Sequence, residues 1–164
     1  MSNNQTLAKE QLGQALGRVA SGVYVITYNQ DGEPEGILTT WIAQSAFEPP
    51  LISVAVKDGR PFLGYLKDGA PFVVNILSKT NNDIFKQFAR PGLSSAERFA
   101  GLELLPERDF GAIFAKANSH LLCHLHSIVK AGDHNLVLAE ISGGGILQHG
   151  SEPMVHFRAN GFQY

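Results

Sequence analysis

A single cysteine, Cys123, stands in 164 residues. It excludes an internal disulfide framework and fits a reducing, cytoplasmic setting. Charge of one sign is also missing. The 13 basic and 15 acidic residues leave a formal net charge of -2, without the basic stripe by which nucleic-acid binders neutralise phosphates. No apolar run approaches the roughly 18 residues needed to span a bilayer. The opening MSNNQTLAKE lacks the basic segment and apolar stretch of a secretory signal. The dinucleotide fingerprint G-x-G-x-x-G is absent. The glycines at 143–145 follow a strand pattern and open no helix. There is no Walker A lysine loop, no H-E-x-x-H and no G-x-S-x-G elbow. A nucleotide-like cofactor would therefore need a different architecture.

What is present describes one soluble domain spanning 1–164. Hydrophobic residues make up 44% and charged residues 17%, enough to bury a core at the usual single-domain length. The 17 glycines and 8 prolines favour many short strands over a helix bundle. Leu7, Leu12, Leu16 and Val19 predict a helix over 6–20, with Gly22 as its stop. VYVITY (23–28) reads as a strand, Asp31-Gly32 as a turn, and ILTTWIAQ (37–44) as a second strand paired to the first. LISVAV (51–56) and FVVNIL (72–77) read as buried strands. Pro61 opens a short helix that Gly69 ends. Further helices are expected over 81–90, capped by Asn82, and over 94–101, capped by Ser94. Residues 102–111 form a loop or short edge strand broken by Pro106. Strands at 119–129 and 136–143 flank a turn at 131–135, the glycines at 143–145 break the chain, and the end carries a strand and an aromatic tail. Six or seven strands with short helices suggest a mainly β fold, a closed or half-closed antiparallel barrel.

Three histidines surround the cysteine in HLLCHLH. On a regular strand His120, His124 and His126 share a face, so a metal site competes with the plainer reading of solvated imidazoles. No carboxylate or fourth ligand lies nearby in sequence, which favours the plainer one. His134, after Gly132-Asp133, reads either as a turn residue or as a polar group over a ligand at a barrel rim. Trp41, the only tryptophan, reads as a core aromatic or as the wall of a site. It sits in GILTTWIAQSAFEPP, whose Thr, Gln and Ser residues a plain core strand does not need.

The order of GRVASGVYVIT, GILTTWIAQSAFEPPLISVAV, FVVNIL, FKQFA, ERFAGLE, GDHNLVLAEI and NGFQY resembles the flavin reductase-like, FMN-binding split-barrel family. The similarity runs from Leu12 to Tyr164, and the nearest variant is the domain fused to flavodiiron proteins of photosynthetic organisms. This chain is either freestanding or an excised domain of that kind. The resemblance implies an antiparallel split β-barrel of the FMN-binding type. It implies a homodimer with FMN, or alternatively FAD, near the interface, and NADH or NADPH as electron donor. It also allows a non-catalytic FMN module that relays electrons to a redox partner protein. Carried over position by position, it implies cofactor contacts at Thr39, Thr40, Trp41, Ala43, Gln44, Lys57, Arg60 and Asn75, and a catalytic role for His134. Gln44 suits the polar edge of a flavin, Trp41 a ring face, and Lys57 and Arg60 a phosphate. Asn75, in an apolar strand, must find partners. Trp41 and Gln44 stand where many relatives carry Ser, which bears on phosphate affinity and on FMN versus FAD.

Overall fold

The computed structural model describes residues 3–67, 69–107 and 109–163. Tyr164 of the expected aromatic tail and Asp68 of the expected short helix lie outside them. In chain order the elements are α1 (Asn3–Gly17), β1 (Ser21–Gly22), β2 (Tyr24–Gln30), β3 (Glu33–Thr39), β4 (Ile42–Ala46), β5 (Leu51–Lys57), α2 (Pro61–Tyr65) and β6 (Pro71–Ile76). They continue with α3 (Asn82–Ala89), α4 (Ser95–Phe99), β7 (Leu104–Leu105), β8 (Ile113–Phe114), β9 (Ser119–Ala131), β10 (His134–Ile146) and β11 (Val155–His156).

Seven strands form one antiparallel sheet in the order β3-β2-β6-β9-β10-β5-β4. Its two edge strands, β3 and β4, are joined only by Thr40 and Trp41. So short a link between opposite edges forces the sheet to curl and brings them close without pairing, and the result is a split barrel. The expectation of one strand over 37–44 is corrected here: the chain leaves β2's partner at Thr39, crosses the split, and pairs with β5 from Ile42. The β2–β3 turn follows the sequence. Asp31 and Gly32 both take positive φ, 53° and 86°, as a two-residue hairpin turn requires.

Two cores stabilise the sheet. Inside the curl, Ile26, Tyr28, Val54, Phe62, Phe72, Val74, Cys123 and Val137 are buried together. On the other side Val23, Val25, Leu77, Ile84, Phe88, Phe99 and Phe114 pack α3 and α4 against the β2–β3 side of the sheet. Each such side chain contributes about 1.5–3 kcal/mol on burial. Burial pushes the Cys123 thiol up to about 12, so it behaves as a small apolar residue.

The helices follow their start signals unevenly. Ser94 forms the expected cap: its hydroxyl accepts from Glu97 N–H while the Glu97 carboxylate accepts from Ser94 N–H. Asn82 is not a cap. Asn81 precedes α3, and its side chain instead accepts from Ser78 N–H at 2.7 Å and donates to Lys116 O at 2.8 Å. Helix α1 stops at Gly17 rather than near Gly22, and Leu7, Leu12, Leu16 and Val19 remain exposed. The glycines at 143–145 do not break the chain. They continue β10 through a bulge, where Gly144 takes φ 152° and its bare α-carbon faces the His120 carbonyl.

Candidate functional site

The outer face of β4, β5 and β10 follows from strand alternation. Ile42, Ile52, Val54, Val56, Val137 and Ala139 turn toward the inner core. Ala43, Ser53, Ala55, Lys57, His134, Leu136 and Leu138 therefore point the other way. The centre of this face is built from small side chains: Ala43 sits across from Ser53 on β5, and Ser53 Oγ donates to Ala43 O at 3.3 Å. Such a floor lets a flat ligand approach the backbone closely.

One end of the floor is walled by rings. Trp41 lies in the edge-to-edge crossing, where its carbonyl accepts from Ala55 N–H at 3.0 Å. Its ring centroid is 5.0 Å from that of His134, with the planes inclined by 38°. His134 opens β10 directly opposite Lys57, the last residue of β5. Its Nδ1 hydrogen-bonds Asp133 Oδ1 at 2.8 Å, which directs Nε2 away from the carboxylate. The Asp133 carboxyl is held below its ordinary value, first by the hydrogen bond from His134. Beside it, Asp58 accepts from Asn135 Nδ2 at 2.5 Å and from Lys130 Nζ, and its N–H donates to Asp133 O at 3.1 Å. These bonds knit the β9–β10 turn to the end of β5. Lys57 and Arg60 project into solvent just past it.

Trp41, Ala43, Lys57 and His134 thus lie on one face, with Trp41 and His134 in ring contact, Thr39 and Thr40 leading into the crossing and Arg60 beyond Lys57. Gln44 does not share the floor. It has the parity of Ile42 and lies exposed on the free edge of β4, with only a long bond, 3.4 Å, to Ala46 O. It reaches the floor only around that edge.

Asn75 is corrected. It is fully buried, and its amide is committed inside the protein. Nδ2 donates to Ala112 O at 3.0 Å, Thr27 Oγ1 at 3.2 Å and Val25 O at 3.3 Å, while Oδ1 accepts from Phe114 N–H at 2.9 Å. The requirement for partners is met by core backbone, which leaves no group for a cofactor. Its part is to pin β2 and β8 to β6.

The three histidines do not assemble a metal site. An irregularity in the β9–β10 register falls at His126 and breaks the shared parity. His126 is exposed, while His124 Nδ1 bonds Gly69 O at 3.1 Å and its ring meets Phe110. Among the described residues no group of three or more His, Cys, Asp or Glu could hold a metal. Sequence reasoning missed Ser53, whose place on the floor follows from alternation along LISVAV, and Arg158, whose guanidinium lies 4.8 Å from the Trp41 ring centre.

Comparison with known proteins bears on the family and the fold. A family profile described as a flavin reductase like domain matches residues 16–163. Diflavin flavoprotein A 1 of Synechocystis is 33% identical over 155 residues, covering 93% of this chain and 27% of that protein. The chain thus spans about a quarter of the length of the curated cyanobacterial relatives it matches, which are of the variant that the sequence resemblance named. In fold, it superimposes with a TM-score of 0.80 on a nitrilotriacetate monooxygenase component B homologue from Mycobacterium thermoresistibile. That pair is 21% identical, over 94% of this chain and 86% of the other. An NADH:FAD oxidoreductase of Streptomyces globisporus gives 0.76 at 23% identity, over 96% and 90% of the two chains.

Proposed function

The chain belongs to the flavin reductase-like family, and from that premise we propose that it reduces FMN with NADH or NADPH on the β4–β5–β10 face. The observation that carries this reading is the floor of Ala43, Ser53 and Ala55 ending at the Trp41–His134 ring pair. It offers what a flavin needs: close backbone approach, an aromatic wall and, at its end, two exposed cations, Lys57 and Arg60. Trp41 walls the ring system. Thr39 and Thr40 border it, and Lys57 and Arg60 meet the phosphate as charge-assisted donors. Gln44 serves the polar edge from the rim of β4. Bound there, the flavin supplies the hydride-accepting N5 for the nicotinamide C4. The protein's own work is to orient and to settle charge. His134, oriented by Asp133, meets the incoming nicotinamide and balances charge beside the ring pair. FAD in place of FMN fits the same floor.

The face is open to solvent, and a second copy of the chain would close it, so a homodimer with the flavin near the interface is part of the proposal. A cytoplasmic setting is proposed from the single cysteine, and the near-even charge balance gives no electrostatic basis for a nucleic-acid partner. No helix among the described residues is long and apolar enough to cross a membrane.

The test is consumption of NADH and NADPH by the purified chain with and without added FMN. Flavin-dependent oxidation of either is the expected result; no consumption at any flavin level defeats the reductase reading. The relatives, of which this chain spans only a quarter, favour one second reading: an FMN-holding module that passes electrons to a partner protein. It would remain yellow through purification and turn over little free nicotinamide.

A further inference from the structure

Arg158 lies on the C-terminal tail, far in sequence from the residues that wall the floor, yet its guanidinium is within cation–π range of Trp41. It is held from two sides. Its backbone N–H donates to Gly17 O at 3.1 Å, and its Nη1 donates to Gly161 O at 3.0 Å. The tail is in turn clasped to α1, because Gly161 N–H donates to Gly13 O at 2.6 Å. Three glycines make this contact possible. A Cβ on Gly13 would come within 2.7 Å of Asn160 Oδ1, one on Gly17 would strike the Arg158 carbonyl oxygen, and one on Gly161 would strike Leu16 Cβ. Trp41 belongs to no strand; its backbone is held by the bond from Ala55 N–H, and the guanidinium lies against its ring.

We propose that Arg158 is a positioning residue: the α1–tail clasp seats its guanidinium on Trp41 and fixes the indole beside His134. Its purpose rests on the flavin-binding reading above, whereas its geometry does not. The tail is then part of the site without touching the ligand, and α1 acts as the brace that sets the ring wall.

Because Trp41 is the only tryptophan, the emission of the flavin-free protein reports on this contact directly. Three full-length variants decide the matter: Arg158→Met, Arg158→Lys and Gly161→Ala. Arg158→Met should shift the Trp41 emission and weaken FMN binding roughly threefold to tenfold, the scale of one lost cation–π contact. Arg158→Lys should recover part of both, since the charge returns without the planar stack. Gly161→Ala leaves Arg158 chemically intact and should reproduce the Met variant. Wild-type emission in Arg158→Met or Gly161→Ala overturns the proposal. So does a Lys variant as impaired as the Met variant with the same loss of melting temperature, since that marks a plain tail contact. Failure of the wild-type chain to take up FMN while the emission shifts persist defeats the flavin reading and Arg158's purpose with it, and leaves the clasp on Trp41 supported.

Discussion

The Trp41 and His134 ring centroids are 5.0 Å apart, and the two residues reach that contact from opposite sides of β5, beside Ala55 and Lys57. Trp41 comes from the edge crossing and His134 from the β9–β10 turn. Only 12% of the His134 side chain is exposed, against 79% for its partner Asp133, so the imidazole is packed against Trp41 rather than solvated. His134→Ala should therefore slow flavin reduction on the order of tenfold while changing FMN affinity by less than about threefold. Stopped-flow rates beside an equilibrium titration separate the two effects. The opposite pattern would make His134 a flavin ligand.

The small floor leads to a second expectation. Ala43 is exposed, so Ala43→Leu should leave the melting temperature within the range of ordinary surface substitutions, about ±0.5 kcal/mol in stability. It should nonetheless abolish FMN binding by filling the approach to the backbone. Lys57→Ala, which removes a charged donor and no shape, should weaken FMN by about 1–3 kcal/mol. Tight binding by the Leu variant would move the flavin to another face.

Asn75 separates structure from ligand binding. Asn75→Ala strands the Phe114 N–H and withdraws a donor from Val25, Thr27 and Ala112. The expected loss of stability is on the order of 3 kcal/mol, measured by urea unfolding. Whatever fraction remains folded should bind FMN as tightly as the wild type, and a selective loss of affinity would return Asn75 to the site.

The turn beside His134 should loosen in acid. Asp58 is held below its ordinary carboxyl value by the hydrogen bond from Lys130 and then by that from Asn135. A depressed folded value means that the stabilisation is present above the unfolded value, about 3.9, and is lost as pH falls through the lower folded one. The difference in melting temperature between wild type and Asp58→Asn should be small, because the group is exposed. It should be constant near neutrality and should close below about pH 4. A gap that widens on acidification would contradict this assignment.

Much of the fold was legible because it is local. Asp31-Gly32 dictates its turn, LISVAV a strand, though one buried on a single face, and Ser94 its cap, each from neighbouring residues. What escaped was non-local. Nothing in ILTTWIAQ says that the chain changes sheet edge at Thr40, because that depends on where β5 lies. The histidine face failed at a bulge set by pairing with β10. Asn75 was recognised as an amide needing partners, but only the fold shows that Thr27, Ala112 and Phe114 use it up. Arg158 reaches Trp41 through glycines whose purpose is visible only once α1 and the tail are side by side.

The most direct measurement is a titration of the purified chain with FMN, followed through Trp41 fluorescence. Saturable quenching at one flavin per chain, absent in Ala43→Leu, is the expected result. Unchanged Trp41 emission throughout, or equal quenching in Ala43→Leu, would contradict a flavin seated on the β4–β5–β10 face.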